Sequence, residues 1–201
     1  MLSLFVQAGG KSQRMGFNKA LAPFLGEPLI RRVIRRVEGL AGEVVIVAND
    51  PQPYLEWGYL VIPDRIPGMG ALGGLYTALS HAQYPYVSVV ACDMPFVNAA
   101  VLEEAQRCLI REELDAVIPQ STKGLEPFHA VYRRETCLSA VERALLQGER
   151  RMIAWLPEVQ WRPLQWEEIR HLDPQGRAFL NVNTPDELAW AERLAREAYL
   201  E

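Results

Sequence analysis

The chain has 201 residues, of which 49% are hydrophobic and 23% charged, so we expect one folded domain over residues 1–201 rather than a disordered chain. Its formal net charge of −4 argues against general binding to nucleic acid and favours a small-molecule ligand. No apolar run approaches the length of a membrane span, and no signal-peptide cleavage pattern follows the first apolar residues, so we expect a cytoplasmic protein without membrane contact.

The first predicted element is a strand over residues 2–6, which runs directly into the glycine-rich segment AGGKSQRMGFNK at residues 8–19. Glycines let backbone N–H groups approach an anion, and the cations Arg14 and Lys19 can reach phosphate oxygens. The glycine spacing is one residue too long for a P-loop, and G-x-G-x-x-G is absent. The segment therefore predicts a triphosphate cradle with Lys19 as a solvent-facing loop lysine; the alternative is a surface turn with incidental cations.

Strand-like and helix-like segments then alternate along the chain. Short apolar runs with β-branched residues have the composition of strands buried on both faces of a sheet. They cover residues 44–48, 59–62, 86–91 and 116–119. Apolar residues at helical spacing occupy residues 28–40, 73–82 and 99–110. This alternation predicts an α/β fold with a doubly wound, mostly parallel sheet and helices on both faces.

Polar residues stand where these strands end. Asn49 and Asp50 follow the second strand, Asp64 the third and Asp93 the fourth. Because ligands bind beyond the carboxyl ends of parallel strands, we expect one crevice to collect these side chains and the first glycine-rich segment. A second glycine-rich segment at residues 67–74 would let a base or ribose lie against the backbone; a mobile connection is the alternative.

Asp93 belongs to the sequence CDMP, in which Pro95 discourages a helix directly after the strand. The carboxylate is then presented from a loop at the edge of the sheet. Mg²⁺ is usually held by one or two carboxylates together with substrate phosphates, so we predict Asp93 as a magnesium ligand. The alternative role is a helix cap, for which Asn98 is better placed.

After residue 120 the pattern is looser. A strand is predicted over residues 128–133, a helix over 135–147, and irregular edge structure over the tryptophan-rich residues 155–166. The sequence TPDE at residues 184–187 is a capping box with proline at the first helical position, which predicts a helix to about residue 199. Asn181 and Asn183 precede it, either as turn residues or as ligand-binding groups.

The cysteines and histidines predict no further chemistry. Cys92, Cys108 and Cys137 are odd in number and lack C-x-x-C spacing, so we expect reduced, packed thiols. The three histidines are scattered along the chain, and we expect each to be structural. No Ser-His-Asp or Cys-His set indicates nucleophilic catalysis.

Several segments resemble those of the molybdenum cofactor guanylyltransferases (the molybdopterin-guanine dinucleotide biosynthesis protein A family), within the wider group of nucleotidyltransferases. These segments are AGGKSQRMGFNKAL at residues 8–21, GEPLI at 26–30, the glycines of 68–74, ACDMPF at 91–96, GERR at 148–151 and NVNTPDEL at 181–188. The first segment and ACDMPF are common to the wider group, whereas NVNTP favours this family. The resemblance implies a nucleotidyltransferase-type, Rossmann-like fold.

The resemblance also implies roles for individual residues. The residues implied to bind the guanine nucleotide are Gln7, Ala8, Gly9, Gly10, Lys19, Asn49, Asp64 and Asp93. Asp93 would also bind Mg²⁺. The residues implied on the molybdopterin side are Asn181, Asn183, Arg150 and Arg151. Two positions depart from the usual pattern, since Gln7 replaces an aliphatic residue and Ala71 a proline, and both bear on base selectivity.

The implied reaction is attack of a terminal phosphate oxygen of molybdopterin, or of Mo-molybdopterin, on the α-phosphorus of GTP with release of pyrophosphate. Arg14, Lys19 and Asp93 would be the catalytic residues, acting by positioning and charge neutralisation. A cofactor carrier or a recipient molybdoenzyme would be the protein partner. Two alternatives stay open: a cytidylyltransferase acting on molybdopterin or another phosphorylated small molecule, and a non-catalytic nucleotide-binding module.

Overall fold

The structure is a computed structural model that describes residues 1–8 and 18–197. Its strands are β1 Leu2–Gln7, β2 Pro23–Phe24, β3 Glu27–Pro28, β4 Glu43–Val47, β5 Leu60–Ile62, β6 Tyr86–Ala91, β7 Ala116–Ser121, β8 Gly124–Leu125, β9 Ala130–Arg133 and β10 Trp161–Leu164. Its α-helices are α1 Leu29–Val37, α2 Gly70–His81, α3 Ala99–Arg111, α4 Arg134–Leu146, α5 Trp166–Ile169 and α6 Pro185–Glu197.

The main sheet has the strand order β10-β7-β9-β6-β1-β4-β5, with β8 paired to β7 outside this path. The pairs β6–β1, β1–β4, β4–β5 and β10–β7 are parallel. Strand β9 is antiparallel to both β6 and β7. The predicted doubly wound, mostly parallel sheet is thus confirmed, and the carboxyl ends of β1, β4, β5 and β6 meet at one edge.

Helices cover both faces of this sheet. Successive residues of β1 face opposite sides, because side chains alternate along a strand. Leu4 and Val6 belong to one buried cluster with residues of α1 and α3, whereas Phe5 belongs to a second cluster with residues of α2 and α4. All three side chains are fully buried, which accounts for the continuous apolar run that predicted this strand.

Some predicted boundaries differ from the observed ones. The first helix ends at Val37 and continues as a 3₁₀ turn, Glu38–Leu40, while α2 begins at Gly70 rather than at residue 73. Strand β9 begins at Ala130, after a 3₁₀ turn at Pro127–His129. The prediction of irregular structure over residues 155–166 is wrong for Trp161–Leu164, which pairs in parallel with β7 as the edge strand.

The C-terminal helix begins where the capping box predicts. The Thr184 hydroxyl oxygen accepts a hydrogen bond from the Glu187 backbone N–H at 3.2 Å, and the Glu187 carboxylate accepts one from the Thr184 N–H at 3.1 Å. Leu188 and Ala191 of this helix pack in a third apolar cluster that contains Phe24 and Val182. Within the described ranges, no helix is long and apolar enough to cross a membrane.

Candidate active site

Lys19 is held at the start of a short 3₁₀ turn, Lys19–Leu21. The side-chain oxygen of Asn18 caps this turn by accepting a hydrogen bond from the Ala20 N–H at 3.1 Å. The Asn18 amide also donates to the hydroxyl of the buried Tyr54 at 3.3 Å. These two hydrogen bonds of Asn18 together fix the backbone from which the Lys19 side chain extends.

The Lys19 ammonium forms an ion pair with Asp93, with 2.5 Å between Nζ and Oδ2. Asp93 lies in the loop directly after β6, as the sequence predicts. Only 14% of the Lys19 side chain and 18% of the Asp93 side chain are exposed. The prediction of a solvent-facing lysine is therefore wrong: this is a largely buried ion pair, which is costly to break on one side only.

The second Asp93 oxygen makes no such contact. Oδ1 is buried and has no hydrogen-bond partner among the described residues. The role of helix cap belongs to Asn98, whose side chain accepts a hydrogen bond from the Ala100 N–H at 2.9 Å. Asp93 is therefore available for a ligand rather than for α3, and an unpartnered carboxylate oxygen is the donor type that Mg²⁺ prefers.

Residues 181–183, just before α6, lie against the ion pair of Lys19 and Asp93. Asn183 accepts a hydrogen bond from Lys19 Nζ through Oδ1 at 2.9 Å, and the Val182 N–H donates to the Asp93 carbonyl at 2.9 Å. Val182 is buried in the apolar cluster beneath, whereas Asn181 and Asn183 on either side of it are exposed. Burial of Val182 thus holds the Asn183 side chain against Lys19.

Gln7 ends the central strand and packs against α2. A Cβ built on Gly74 would lie 1.9 Å from Gln7 Nε2, so any larger residue there would force the Gln7 amide to move. Nε2 is buried and has no hydrogen-bond partner among the described residues. Gln7 therefore presents an unused amide at the carboxyl edge of the sheet. Its neighbour Ala8 is engaged in the sheet, with its N–H donating to the Val47 carbonyl at 3.0 Å.

Asn49 and Asp64 meet at the ends of β4 and β5. The Asn49 side-chain oxygen accepts a hydrogen bond from the Asp64 backbone N–H at 3.1 Å. Burial raises the pKa of the Asp64 carboxyl, and a separate side-chain hydrogen bond with Asn49 opposes part of that rise. The next residue, Arg65, donates its N–H to the hydroxyl of the buried Thr77 at 2.9 Å, which ties this loop to α2.

Other predicted site residues are not joined to these contacts. Arg150 and Arg151 are exposed on the connection after α4, with Arg151 Nε 3.8 Å from a Glu149 carboxylate oxygen. Gly9, Gly10 and Arg14 lie outside the described residues, so their roles stay predictions.

Asn18, Tyr54 and Thr77 were not predicted from the sequence as parts of the site. Asn18 directly precedes Lys19, and asparagine is a favoured N-cap, so a local signal existed for it. No local pattern identifies Tyr54 or Thr77, because their partners lie 36 and 12 residues away in the chain.

The thiol of Cys92 and the imidazole of His129 are both buried, and burial shifts the pKa of each. Burial, and the adjacent Asp93 charge, raise the pKa of the Cys92 thiol to about 12. Burial lowers the pKa of His129 to about 4, and its Nε2 lies 3.1 Å from the Asn98 carbonyl. The three cysteines are free and buried, as predicted.

The donor set suits a metal held mainly by its substrate. Across residues 1–8 and 18–197, no group of three or more His, Cys, Asp or Glu side chains could hold a metal ion. One free carboxylate oxygen next to the Lys19 ammonium fits Mg²⁺, which commonly keeps water and phosphate ligands, better than a metal that needs an all-protein cage.

Comparison with known proteins identifies the family of this chain. The family model described as a MobA-like NTP transferase domain matches residues 4–161. The molybdenum cofactor guanylyltransferase of Desulfosudis oleivorans is 36% identical over 188 residues, which cover 93% of this chain and 92% of that protein. The crystal structure of molybdopterin-guanine dinucleotide biosynthesis protein A from Archaeoglobus fulgidus matches with a TM-score of 0.83 and 30% identity, covering 97% of this chain and 99% of that one. A cytidylyltransferase for 2-C-methyl-D-erythritol 4-phosphate from Thermus thermophilus shares the fold, with a TM-score of 0.68, 17% identity and coverage of 96% and 98%.

Proposed function

Because this chain belongs to the MobA-like NTP transferase family, we propose that it is a molybdenum cofactor guanylyltransferase, which transfers GMP from GTP to molybdopterin and releases pyrophosphate. The observation that carries the proposal is the contact of Lys19 with both Asp93 and Asn183. It joins the residues expected to hold the triphosphate, the metal and the pterin substrate at one ammonium group.

The nucleotide half of the crevice comprises the ends of β1, β4 and β5. The unused amide of Gln7 is proposed to bind the base, and Asn49 and Asp64 the nucleoside. Lys19 is proposed to bind the phosphates together with backbone of residues 8–10 and the Arg14 side chain. A triphosphate would then exchange one or both of the acceptors of Lys19 for phosphate oxygens.

The pterin half is proposed to comprise Asn181 and Asn183, with Arg150 and Arg151 as partners of its phosphate. The exposed asparagines lie beside the ion pair, which suits a substrate whose phosphate must approach the α-phosphorus of GTP. The exposed arginines on the connection after α4 would add charge-assisted hydrogen bonds to that phosphate. A carrier protein or a recipient molybdoenzyme is the expected protein partner for delivery of molybdopterin, with or without molybdenum, and for release of the product.

The proposed reaction requires no protein nucleophile. A molybdopterin phosphate oxygen forms a bond to the α-phosphorus of GTP, the bond between the α-phosphorus and the bridging oxygen of the β-phosphate breaks, and pyrophosphate leaves with the electron pair. The protein contributes orientation and charge: Lys19 stabilises the negative charge that grows on the leaving pyrophosphate, and Arg14 is proposed to assist it.

Asp93 is proposed to hold Mg²⁺ through its free oxygen Oδ1. When bound, the cation supplies positive charge to phosphate oxygens, as divalent ions do in phosphoryl transfer. The Asp93 oxygen Oδ2 meanwhile keeps the Lys19 ammonium at the same place. The carboxylate would thus contact one cation through each of its oxygens.

The test is release of pyrophosphate by the purified chain given molybdopterin, Mg²⁺ and one nucleoside triphosphate at a time. We expect release with GTP in clear preference to CTP and ATP, and loss of release when a chelator removes the metal. Preference for CTP would identify a cytidylyltransferase instead. Tight nucleotide binding without pyrophosphate release would identify a non-catalytic module.

A further inference from the structure

Tyr54 is a buried tyrosine on the 3₁₀ turn Gln52–Trp57, which follows β4. Only 1% of the residue is exposed, and it packs in the apolar cluster that contains Leu4 and Val6 of β1. Its hydroxyl accepts the hydrogen bond from the Asn18 amide at 3.3 Å. Phenylalanine would supply the same apolar ring, and a buried hydroxyl is costly without a partner, so packing alone does not account for a tyrosine here.

The turn that carries Tyr54 is itself held in place. The Tyr54 N–H donates to the Pro51 carbonyl at 2.9 Å, and its ring meets the Trp57 ring edge-on with centroids 5.2 Å apart. The Arg31 guanidinium of α1 lies over the Trp57 ring, 4.8 Å from its centroid. These contacts and the burial of the ring fix the Tyr54 hydroxyl, so it offers Asn18 a rigid point of attachment.

Asn18 uses both ends of its side-chain amide. Its oxygen accepts the Ala20 N–H at 3.1 Å and caps the 3₁₀ turn that Lys19 begins, while its nitrogen donates to Tyr54. The cap fixes the shape of that turn, and the hydrogen bond to Tyr54 fixes where the turn lies relative to the end of β4. The ammonium of Lys19, the next residue, reaches Asp93 from there.

We propose that Tyr54 is a positioning residue for the transfer reaction, because its hydroxyl sets, through Asn18, the place of the Lys19 ammonium beside Asp93. Stabilisation of a leaving pyrophosphate requires a cation held in the right place before the reaction starts. The same link joins the lysine proposed to bind phosphates to the end of β4, where Asn49 is proposed to bind the nucleoside. The inference rests on the proposed function for the role of Lys19, whereas the link between Tyr54 and Lys19 is measurable without turnover.

Three substitutions separate the cap of Asn18 from its contact with Tyr54. Tyr54→Phe removes only the hydroxyl. Asn18→Ser keeps a capping oxygen on a shorter side chain, so the contact with Tyr54 is lost. Asn18→Asp keeps the cap as well, and the Tyr54 hydroxyl then donates to the new carboxylate, because burial raises the pKa of Tyr54 and keeps it protonated at neutral pH. The first two variants should therefore behave alike, and the third like the wild type.

The matched control is Tyr59→Phe. It removes a hydroxyl that donates to the Glu38 carboxylate at 2.7 Å, from a residue directly before the amino end of β5. That position lies at the edge of the sheet opposite the candidate active site, so loss of this hydroxyl should not affect Lys19.

The first experiment measures the accessibility of Lys19 in the folded chain without substrates. An amine-reactive ester is applied briefly, and the label at Lys19 is compared by mass spectrometry with the label at the exposed Lys123. We expect Tyr54→Phe and Asn18→Ser each to raise this ratio severalfold, and Asn18→Asp and Tyr59→Phe to leave it unchanged. An unchanged ratio in Tyr54→Phe, or an equal rise in Tyr59→Phe, overturns the proposal.

The second experiment measures kcat for pyrophosphate release. Tyr54→Phe and Asn18→Ser should each lower kcat about 3- to 10-fold, the effect of one hydrogen bond, with a smaller change in KM for GTP. The double variant should fall no further, since both substitutions remove one contact. In a Lys19→Ala background Tyr54→Phe should change kcat little, whereas a general loss of stability would lower kcat equally in both backgrounds.

The outcomes of this second experiment separate the two proposals. Multiplied effects in the double variant, or an equal fall of kcat in the Lys19→Ala background, would show that Tyr54 does not act through Asn18 and Lys19. Absence of pyrophosphate release from the wild type, with Lys19 labelling as expected, would contradict the proposed function and leave the link between Tyr54 and Lys19 established.

Discussion

At the scale of single residues, the ammonium of Lys19 is the centre of the site. It contacts an anionic oxygen of Asp93 at 2.5 Å and a neutral amide oxygen of Asn183 at 2.9 Å. The largely buried position strengthens both interactions relative to water. A phosphate bound as proposed would compete first with the neutral acceptor, since losing Asn183 costs less than separating the ion pair.

We predict that Lys19→Ala lowers turnover by about 30- to 1,000-fold, which corresponds to roughly 2–4 kcal/mol of lost transition-state stabilisation. The matched control is Lys123→Ala, which removes an exposed lysine from the turn between β7 and β8. Steady-state kinetics on both pure proteins measure the difference. Because the variant leaves Asp93 without its cation, thermal unfolding must show that it remains folded at the assay temperature.

We predict that Asp93→Asn and Asn181→Asp fail in different ways. The first keeps the size of the side chain but removes the charge that Mg²⁺ requires, so metal-dependent turnover should collapse. The second places a carboxylate in the pterin half, which should weaken molybdopterin binding by roughly 1–3 kcal/mol and leave GTP binding nearly intact.

Separate titrations of GTP and molybdopterin against each of these variants measure which substrate each variant binds more weakly. Asn183→Asp is the informative third protein, since its carboxylate would contact Lys19 directly and should weaken both ligands. If Asn181→Asp weakens GTP binding as much as it weakens molybdopterin binding, the division of the crevice into two halves is wrong.

At the scale of elements, the sequence predicted the type and position of most strands and helices. The apolar runs of β1 and β6 are buried on both faces, and this is why their composition alone identified them. The capping box located α6 for a local reason too, since its hydrogen bonds join residues three apart. The family resemblance read from the short motifs is confirmed by the comparisons.

What the sequence could not give is the pairing of distant elements. The antiparallel insertion of β9 between β6 and β7, and the joining of β10 to the sheet edge, depend on tertiary packing. The burial of Lys19 depends on Asp93 and Asn183, which lie 74 and 164 residues away in the chain. The close approach to Gly74 likewise comes from Gln7 on another element.

The contact between α2 and β1 supplies a prediction about base choice. Gly74→Ala places a methyl group where the Gln7 side chain now lies, so the Gln7 amide must move. We expect weaker GTP binding and reduced preference for GTP over CTP, measured as the ratio of kcat/KM values. In a Gln7→Ala background the same substitution should change this ratio little, because the side chain it displaces is gone. An equal effect in both backgrounds would assign the loss to the helix instead.

At the scale of the whole molecule, His129 lies where several elements meet. It is fully buried, its ring packs edge-on against Phe179 with centroids 5.1 Å apart, and Nε2 lies 3.1 Å from the carbonyl of Asn98, the residue that caps α3. Asn98 in turn donates its side-chain amide to the Leu172 carbonyl at 2.9 Å. The ring thus supports the start of α3 and the segment that leads towards α6.

The buried imidazole makes stability depend on pH. Burial lowers its folded-state pKa to about 4, whereas the unfolded chain binds the same proton near the ordinary value of 6.5. Between these values the unfolded state binds more protons than the folded state, so the free energy of unfolding rises with pH. The stability contributed by the neutral imidazole is therefore lost as pH falls from about 6.5 towards 4. From this pKa shift we expect the group to contribute roughly 3 kcal/mol to that change.

We therefore predict that His129→Gln flattens the pH dependence of the free energy of unfolding between about pH 4 and 6.5, whatever its effect on stability at neutral pH. Glutamine keeps a polar group opposite the Asn98 carbonyl but has nothing to protonate in this range, so only the slope attributable to His129 should disappear. Urea unfolding at half-unit pH steps measures it, and the exposed His171→Gln serves as the matched control, expected to keep the wild-type slope. If His129→Gln loses stability on acidification as steeply as the wild type does, the acid sensitivity of this fold resides in other groups and the imidazole is not the neutral, buried support inferred for α3.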